Sequence, residues 1–369
     1  MLKSISSALP AALLVVVLGS AARTMGQTQA GAAVAAPNGN KASVLGTGSF
    51  TAFVENMDRS LAFYHDAFGM EVPALPASGQ RPYNQANPQL FAMFDIAGAK
   101  ERHQSARITG TRVTLELMEI QEVPHQTMRL RIQDPGTATV VFIVRDVEAA
   151  LTRAVQAKAT VETPGGKPVT LADGTRAILI RDLDGRFLEL RQLAAPAATA
   201  PATGAAQATD ILDMRLSIAV NDMAETTRVY RNVLGFTVEG ETPFTADAAM
   251  RSLTGLSKAE VRRSRVQAPG SMLWIEFVEF KGVDRTPLRM RIQDRGAARL
   301  QLRVQDVDAV VAAVKAAGLK VMSVDGIAQP IPPNFKGALV ADSNNFFLTP
   351  FAPCDGCAPT IGAPARSAK

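Results

Sequence analysis

The sequence is poor in the side chains that most often bind transition metals. Only three histidines and two cysteines occur among 369 residues, and aromatic residues make up 5%. Transition-metal sites are usually built from imidazole, thiolate or several carboxylates. The sequence is therefore metal-poor, and the best ligands that it offers for a metal are carboxylates.

The sequence also lacks a block of positive charge. Its formal net charge is +5, and the 39 basic and 34 acidic residues are spread along the chain. A surface that binds nucleic acid needs clustered lysine and arginine. We therefore expect no nucleic-acid partner.

The longest apolar run lies near the N-terminus and is short. Lys3 provides a positive start, Ala11–Gly19 is apolar, and small residues follow at Ser20–Ala22. This is the pattern of a secretory signal peptide, and the apolar part is too short to span a membrane comfortably. We predict a signal peptide at residues 1–30, a linker at 31–43, a secreted or periplasmic location and no stable membrane span after cleavage. A retained membrane anchor is the alternative.

The two cysteines, Cys354 and Cys357, form a CxxC motif in the C-terminal tail, residues 353–369. Redox CxxC motifs usually open a helix after a strand, whereas this one is followed by Ala-Pro-Thr-Ile-Gly. In an exported protein the pattern favours a small terminal disulfide.

The chain is a tandem duplication. The phrase "RLRIQDPG" at residues 129–136 recurs as "RMRIQDRG" at 289–296, and flanking segments match at nearly the same offset. An Ala/Pro/Thr-rich linker at 194–209 separates the copies. We predict one domain at 44–193 and a second at 210–352.

The repeated phrase has two interpretations. It lies between the two halves of each copy, where a local salt bridge and a turn at the final glycine would hold the halves together. Alternatively, its arginines line the rims of the binding sites and attract anions. These arginines are Arg129, Arg131, Arg289 and Arg291.

Each copy is itself double. In the first half, Met57–Phe68 has an apolar residue at every third or fourth position, which predicts a helix that ends at Gly69. Val147–Ala157 repeats this pattern in the second half, while Val113–Ile120 and Phe187–Leu190 read as strands. The unit is strand, helix and three strands, so the sequence predicts an α+β fold of four βαβββ modules with helices on one sheet face. The other face is free to form a cup.

Four segments carry a resemblance to a known family: "VENMDRSLAFYHDAFGMEV", "VNDMAETTRVYRNVLGFTV", "WIEFVEF" and "RDLDGRFLEL". With them the chain resembles the vicinal oxygen chelate (VOC) superfamily, which includes glyoxalase I, extradiol dioxygenases, methylmalonyl-CoA epimerase and bleomycin-resistance proteins. The resemblance implies two tandem glyoxalase-like domains that form cup-shaped half-barrels. It also implies a divalent metal in many members.

The family places its metal ligands early in the first strand and late in the last strand of each half. Carried over to this sequence, only Glu116, Glu276 and Glu189 match, and no histidine does. The other positions hold Ser49, Thr139, Arg215, Arg299 and Thr349. We therefore expect no tightly bound transition metal; a divalent metal on Glu116 and Glu189 is the alternative. If the halves pair between copies, Glu276 meets Glu189 beside Arg215.

Strand alternation predicts which side chains line a cup. Guanidinium groups match carboxylates, so a basic cup fits a small anionic metabolite. The ligand-binding candidates in copy two are Arg215, Trp274, Arg299, Gln301 and Arg303. Glu116 and Glu276 are the catalytic candidates, as general bases if burial raises their pKa.

The expected function is binding of a small anionic metabolite, or lyase- or epimerase-type turnover of it. The alternatives are a metal-dependent lyase or dioxygenase that uses Glu116 and Glu189, and a non-catalytic scaffold whose cups are filled. Two helical insertions, Asn87–Ile108 and Ala246–Val266, are predicted to cover the cups, with Tyr83 in one cover. Whether the chain is an enzyme and whether it forms a homodimer stay open.

Overall fold

The computed structural model describes residues 44–83, 88–109, 111, 114–194, 210–331 and 334–354. The predicted signal peptide, the first linker, residues 195–209 and Cys357 lie outside the described residues. Cys354 is disulfide-bonded, in agreement with the predicted terminal disulfide. Within the described ranges, no helix is long and apolar enough to cross a membrane.

Six helices occur in the described ranges. They are α1 (Met57–Phe68), α2 (Pro88–Phe94), α3 (Val147–Gln156), α4 (Met223–Asn232), α5 (Ala248–Thr254) and α6 (Val307–Ala316). The strands are β1 (Val44–Phe53), β2 (Lys100–Arg107), β3 (Thr114–Gln121), β4 (Ala138–Val144), β5 (Thr160–Val161), β6 (Val169–Thr170), β7 (Arg176–Arg181), β8 (Phe187–Gln192), β9 (Ile211–Val220), β10 (Thr237–Glu239), β11 (Glu260–Gln267), β12 (Trp274–Lys281), β13 (Ala298–Val304), β14 (Lys320–Val321), β15 (Gln329–Ile331), β16 (Phe335–Gly337), β17 (Val340–Ala341) and β18 (Phe347–Pro353).

The helices α1 and α3 begin where the sequence predicts them, and α4 and α6 are their counterparts in the second copy. Each has an Asn or Asp as N-cap, because the short side chain accepts a hydrogen bond from a backbone N–H of the first turn. The caps are Asn56, Asp146, Asp222 and Asp306. The first helix ends at Gly69, whose φ is 65°. Local sequence is sufficient to position these helices.

The prediction that the two insertions are mainly helical was wrong. Each contains a helix of seven residues, α2 or α5, and then a strand of eight, β2 or β11. The strand β2 ends the first sheet and pairs antiparallel with β3, whereas β11 lies between β10 and β12 and pairs antiparallel with both. Sheet pairing therefore outweighs the helical spacing of their sequences.

Two nine-stranded sheets form within the described residues, and each mixes the two copies. The first sheet has the order β14-β17-β18-β13-β1-β3-β2, and the second β10-β11-β12-β9-β4-β8-β7-β5. The strands β1 and β13 pair antiparallel, as do β4 and β9. The first half of one copy thus shares a sheet with the second half of the other, which answers the question that the sequence left open.

One large apolar core joins the helix-bearing faces of both sheets. Leu115 of β3 and Leu216 of β9 are both fully buried in it, together with Tyr64 of α1 and Tyr230 of α4. The opposite face of each sheet carries a smaller apolar cluster, one with α2 and one with α5. We call these opposite faces cup one, on the first sheet, and cup two, on the second.

The repeated RxRIQDxG phrase forms the two crossings between sheets. The chain passes from β3 in the first sheet to β4 in the second, and later from β12 back to β13. Arg131 binds both oxygens of Asp134 at 2.8 and 2.7 Å, and Arg291 binds Asp294 at 2.8 Å. The predicted local salt bridge is confirmed in both copies.

Each crossing also forms a hydrogen bond with the segment that precedes the other crossing. Asp134 accepts a hydrogen bond from the Thr286 backbone N–H at 2.8 Å, and Asp294 accepts one from that of Gln126 at 2.9 Å. Gly136 closes the first turn at a φ of 94°, where a Cβ would lie 2.5 Å from the Asn344 carbonyl oxygen. The phrase therefore joins the two copies structurally, and its apolar residues pack at the cups: Leu130 and Ile132 at cup two, and Ile292 at cup one.

Candidate functional site

Strand register brings five polar residues of cup one together. Thr51 on β1 lies opposite both Glu116 on β3 and Arg299 on β13. Oε2 of Glu116 accepts hydrogen bonds from Thr51 at 2.6 Å, Gln301 at 3.2 Å and Arg299 at 3.3 Å. Arg299 also donates to the Thr349 hydroxyl at 3.2 Å.

A bulge in β1 adds one lining position. The register shifts between Thr47 and Phe50, so three residues of β1 span what two residues of β13 span. A Cβ on Gly48 would lie 2.8 Å from Oε1 of Gln301, so Gly48 faces the cup. The bulge therefore adds Gly48 to the cup face that alternation predicts for Thr51 and Ser49.

Helix α2 fills cup one. The Phe94 ring lies 4.9 Å from the guanidinium carbon of Arg299 and 6.2 Å from the Phe53 ring. Phe91 and Met93 join the same buried cluster. Arg299 is 4% exposed, and burial lowers its pKa although Glu116 opposes this effect. The predicted cover is present, and it leaves Arg299 enclosed.

Cup two contains a different network, centred on Arg191 of β8. Its Nη2 lies 3.1 Å from Oε2 of Glu189, on the same strand, and 3.4 Å from Oε2 of Glu276, on β12. Its Nε donates to the other oxygen of Glu189. One guanidinium therefore bridges carboxylates from both copies.

A cavity of about 230 Å³ lies beside this network. It is lined by Val141, Arg191, Arg215, Leu216, Arg265, Trp274, Ile275 and Glu276. Arg215 binds Asp213 at 3.0 Å. In the described part of the chain, Arg265 has no carboxylate within 4.0 Å, unlike the other two lining arginines. The cavity thus has one exposed guanidinium that forms no ion pair within the described residues, although its charge acts on Glu276, the residue opposite it on β12.

A second, smaller space lies on the other side of Arg191. It has a volume of about 20 Å³, roughly that of one water molecule. Glu189, Thr139 and Ser217 line it, and Met250 and Leu253 of α5 close it. The cover of cup two therefore encloses the inner part of the cup and leaves the outer cavity free.

The ligand-binding candidates do not share one cup. Arg215 and Trp274 line the cavity of cup two, whereas Arg299, Gln301 and Arg303 lie on β13 in the first sheet. Arg303 is exposed, and its contact is the Leu45 carbonyl oxygen at 3.4 Å. Grouping all five assumed pairing within copy two, and the strand pairing between copies overturns it.

The catalytic candidates are held by arginines. Burial raises the pKa of Glu276, but Arg191, Arg263 and Arg265 outweigh it, so its pKa lies below the ordinary value. This direction is opposite to what a general base requires. Glu116 binds three donors through one oxygen and faces the filled cup.

The carboxylates do not fit a divalent metal. Glu116 and Glu189, the proposed metal pair, lie in different sheets. In cup two, Glu189 and Glu276 already bind Arg191, and in cup one a single carboxylate binds Arg299. No cluster of three or more His, Cys, Asp or Glu suited to a metal occurs among the described residues.

Glu119 and Glu279, three positions after Glu116 and Glu276, hydrogen-bond to the starts of two helices. Glu119 accepts a hydrogen bond from the Met57 N–H at the start of α1, and Glu279 accepts one from the Met223 N–H at the start of α4. Tyr83 donates to Glu119 and stacks on Arg102, so it belongs to this support and not to a cover. Burial, followed by the Glu119 bond, raises the pKa of Tyr83 to about 12.

Sequence reasoning missed two central residues. Arg191 is not among the site residues that the sequence predicted, and Arg265 lies in the predicted helical insertion Ala246–Val266. The period-two pattern of buried Val261, Val266 and their neighbours is weak, so only pairing with β12 reveals that β11 is a strand.

Comparisons with known proteins agree with this architecture. The model of the Glyoxalase/Bleomycin resistance protein/Dioxygenase superfamily matches residues 46–190 and 214–326. No curated protein is significantly similar to the chain in sequence.

Solved structures of similar fold span nearly the whole chain. Glyoxalase I from Zea mays is 16% identical, with a TM-score of 0.51 over 85% of this chain and 92% of the maize chain. A putative dioxygenase from Bacillus subtilis is 12% identical, with the same TM-score over 86% of this chain and 88% of its own. At these identities the likeness shows the fold alone.

Proposed function

Because the chain belongs to the Glyoxalase/Bleomycin resistance protein/Dioxygenase superfamily, whose fold forms cups, we propose that cup two binds a small anionic metabolite without a tightly bound transition metal. The observation that carries the proposal is Arg265, which faces the cavity beside Arg215 and Trp274 without a carboxylate partner among the described residues. A carboxylate is the group that a guanidinium binds best.

The cavity also favours a ligand that is partly flat and apolar. Trp274, Val141 and Ile275 provide apolar surface next to the arginines. Its volume of about 230 Å³ is at the small end of the range for ligand sites. A small carboxylate with an unsaturated or aromatic body satisfies both the charge and this surface.

Binding is better supported than lyase or epimerase turnover. Proton abstraction needs a carboxylate whose pKa is raised towards the working pH. The arginines around Glu276 lower its pKa instead. A metal-dependent reaction on Glu116 and Glu189 has no support, since these residues lie in different sheets.

For cup one, the contacts favour the alternative in which the cup is filled and has a structural role. Phe94 packs on Arg299, and this arginine is paired with Glu116. We propose that cup one stabilises the first sheet and that ligand binding is confined to cup two.

The single tryptophan gives a direct assay. Trp274 is the only tryptophan in the chain, so its emission reports on cup two. We expect a saturable change in emission with at least one member of a panel of small carboxylates. Arg265→Ala should weaken this ligand about tenfold, the usual value of one charged hydrogen-bonded contact.

Arg303→Ala is the matched control, because Arg303 is an exposed arginine of cup one. It should leave the affinity unchanged. The proposal is wrong if no carboxylate alters the emission or the melting temperature, or if Arg303→Ala weakens binding as much as Arg265→Ala does.

We also propose export of the chain. The support is the signal-peptide pattern of the first 30 residues, with a cut between Ala22 and Ala35. N-terminal sequencing of the protein from the culture medium or the cell envelope tests this. A mature protein that still begins at Met1 contradicts the proposal.

A further inference from the structure

In both cups, an arginine binds the glutamate on the last strand of the copy's first half. In cup one Arg299 binds Glu116, and in cup two Arg191 binds Glu276. The two arginines are not repeat equivalents. By the offset of the repeat, Arg299 corresponds to Thr139, and Arg191 corresponds to Phe351.

The same contact is therefore made from two different strands. Arg299 reaches Glu116 from β13, and Arg191 reaches Glu276 from β8. Duplication of one ancestral pair would place both arginines at equivalent positions. The recurrence points to a requirement for positive charge on this glutamate rather than to inheritance of one contact.

In cup two the arginine holds more than one acid. Arg191 is 16% exposed and is shared by Glu189 and Glu276, so two carboxylates face one guanidinium. Thr139 and Ser217 lie beside Glu189 around the small inner space. Without the guanidinium, these two carboxylates and two hydroxyls would form an oxygen-rich cluster of the kind that binds hard or borderline divalent cations.

We propose that Arg191 is the resident cation of cup two: its guanidinium occupies the position between Glu189 and Glu276 and thereby keeps divalent metal out. The positive charge between the two carboxylates belongs to the chain itself. Chelators should therefore leave cup two unchanged. This inference does not depend on which ligand enters the outer cavity.

The test is the gain of a metal site. Tag-free full-length protein is titrated calorimetrically with Mn²⁺ and with Zn²⁺, with dialysed samples analysed for bound metal. We expect no stoichiometric binding by the wild type, and about one metal per chain in Arg191→Ala, with affinity raised about tenfold or more, as expected when two carboxylates become free.

Two variants locate any gain. Arg299→Ala removes the guanidinium of cup one and frees only Glu116, so it should bind metal no better than the wild type. Arg191→Ala combined with Glu189→Gln should lose the gain. Because removal of Arg191 leaves the buried Glu189 without its ion-pair partner, Arg191→Gln, which retains hydrogen-bond donors, serves as a second variant if the alanine variant does not fold.

The result that overturns the proposal is metal binding where Arg191 is intact. One tightly bound Mn²⁺ or Zn²⁺ per wild-type chain would do so. Folded Arg191→Ala or Arg191→Gln protein that binds metal no better than the wild type would do so as well, and so would a gain that survives Glu189→Gln. None of these outcomes concerns carboxylate binding, so the proposed function is tested separately.

Discussion

Asp342 gives a prediction whose size follows from the structure. It is 5% exposed, and its carboxylate accepts hydrogen bonds from the backbone N–H groups of Asn344 and Phe346 and from the Tyr230 hydroxyl. Burial raises its pKa from 3.8 to about 6, although these hydrogen bonds oppose the change. Folding therefore favours the protonated form.

The sign of the effect on stability follows from this direction. Below about pH 3 the carboxyl is protonated in both the folded and the unfolded chain, so the effect of the shifted pKa is absent there and still small at about pH 4. As the pH rises to about 6 the unfolded chain loses its proton first, and the folded chain becomes less stable. At about 1.4 kcal/mol for each pKa unit, the loss amounts to about 3 kcal/mol above pH 6.

Asp342→Asn should remove this loss. The amide oxygen can accept the same two backbone hydrogen bonds, and the amide N–H can donate to the Tyr230 hydroxyl, so the geometry is preserved. We expect the variant to be more stable than the wild type by about 1–3 kcal/mol at about pH 7.5, and to show only a small gain at about pH 4. Urea unfolding, followed by far-UV circular dichroism at both pH values, measures this.

Asp66→Asn is the control, because Asp66 is an exposed aspartate on α1. It should leave stability unchanged to within about 0.5 kcal/mol at both pH values. Our reasoning is refuted if Asp342→Asn destabilises the protein at about pH 7.5, or if its stability falls between pH 4 and pH 6 as steeply as that of the wild type.

Three further predictions concern packing and the crossings. Gly136→Ala should lower the free energy of unfolding by about 3 kcal/mol or more, because the residue has a φ of 94° and the new Cβ would clash with the Asn344 carbonyl oxygen. The control is Gly185→Ala, which has a φ of 79° but open space around the Cβ, and it should lower the same free energy by only about 1–2 kcal/mol in the urea titration. Phe94→Ala should lower the free energy of unfolding by about 3–5 kcal/mol without changing ligand affinity in the Trp274 assay, and a loss of affinity would contradict the division between the cups. Asp294→Ala should cost about 3 kcal/mol, because it leaves the Gln126 N–H and Arg291 without their acceptor; a thermal melt that matches the wild type would exclude this role.

Local signals in the sequence predicted the repeating unit well. The helix of residues 57–68 has the bounds that its apolar spacing and caps predict, since capping and amphipathic spacing act over a single turn. The repeat offset likewise indicated the duplication, and the resemblance of the quoted segments to the VOC superfamily is confirmed by the family match. These features depend on residues that are close together in the chain.

The candidate site was predicted only in part. Glu116, Glu189 and Glu276 are on cup faces, as alternation on β3, β8 and β12 predicts. The arginines on Glu116 and Glu276 could not be predicted, because Arg299 and Arg191 each come from the other copy, whereas Glu189 pairs with Arg191 on its own strand. Arg265 is the clearest case, since its place beside Trp274 depends on the pairing of β11 with β12.

The sequence by itself determined the duplication, the module helices and the absence of histidine from the expected metal positions. Each of these features depends only on residue type and on spacing along the chain. Only the tertiary structure decided that β13 pairs with β1 and β9 with β4, and therefore that Arg299 binds Glu116 while Arg191 binds Glu276. The two modules of a copy could pair with each other or with those of the other copy, and it is the interlocked crossings at Asp134 and Asp294 that stabilise the observed choice.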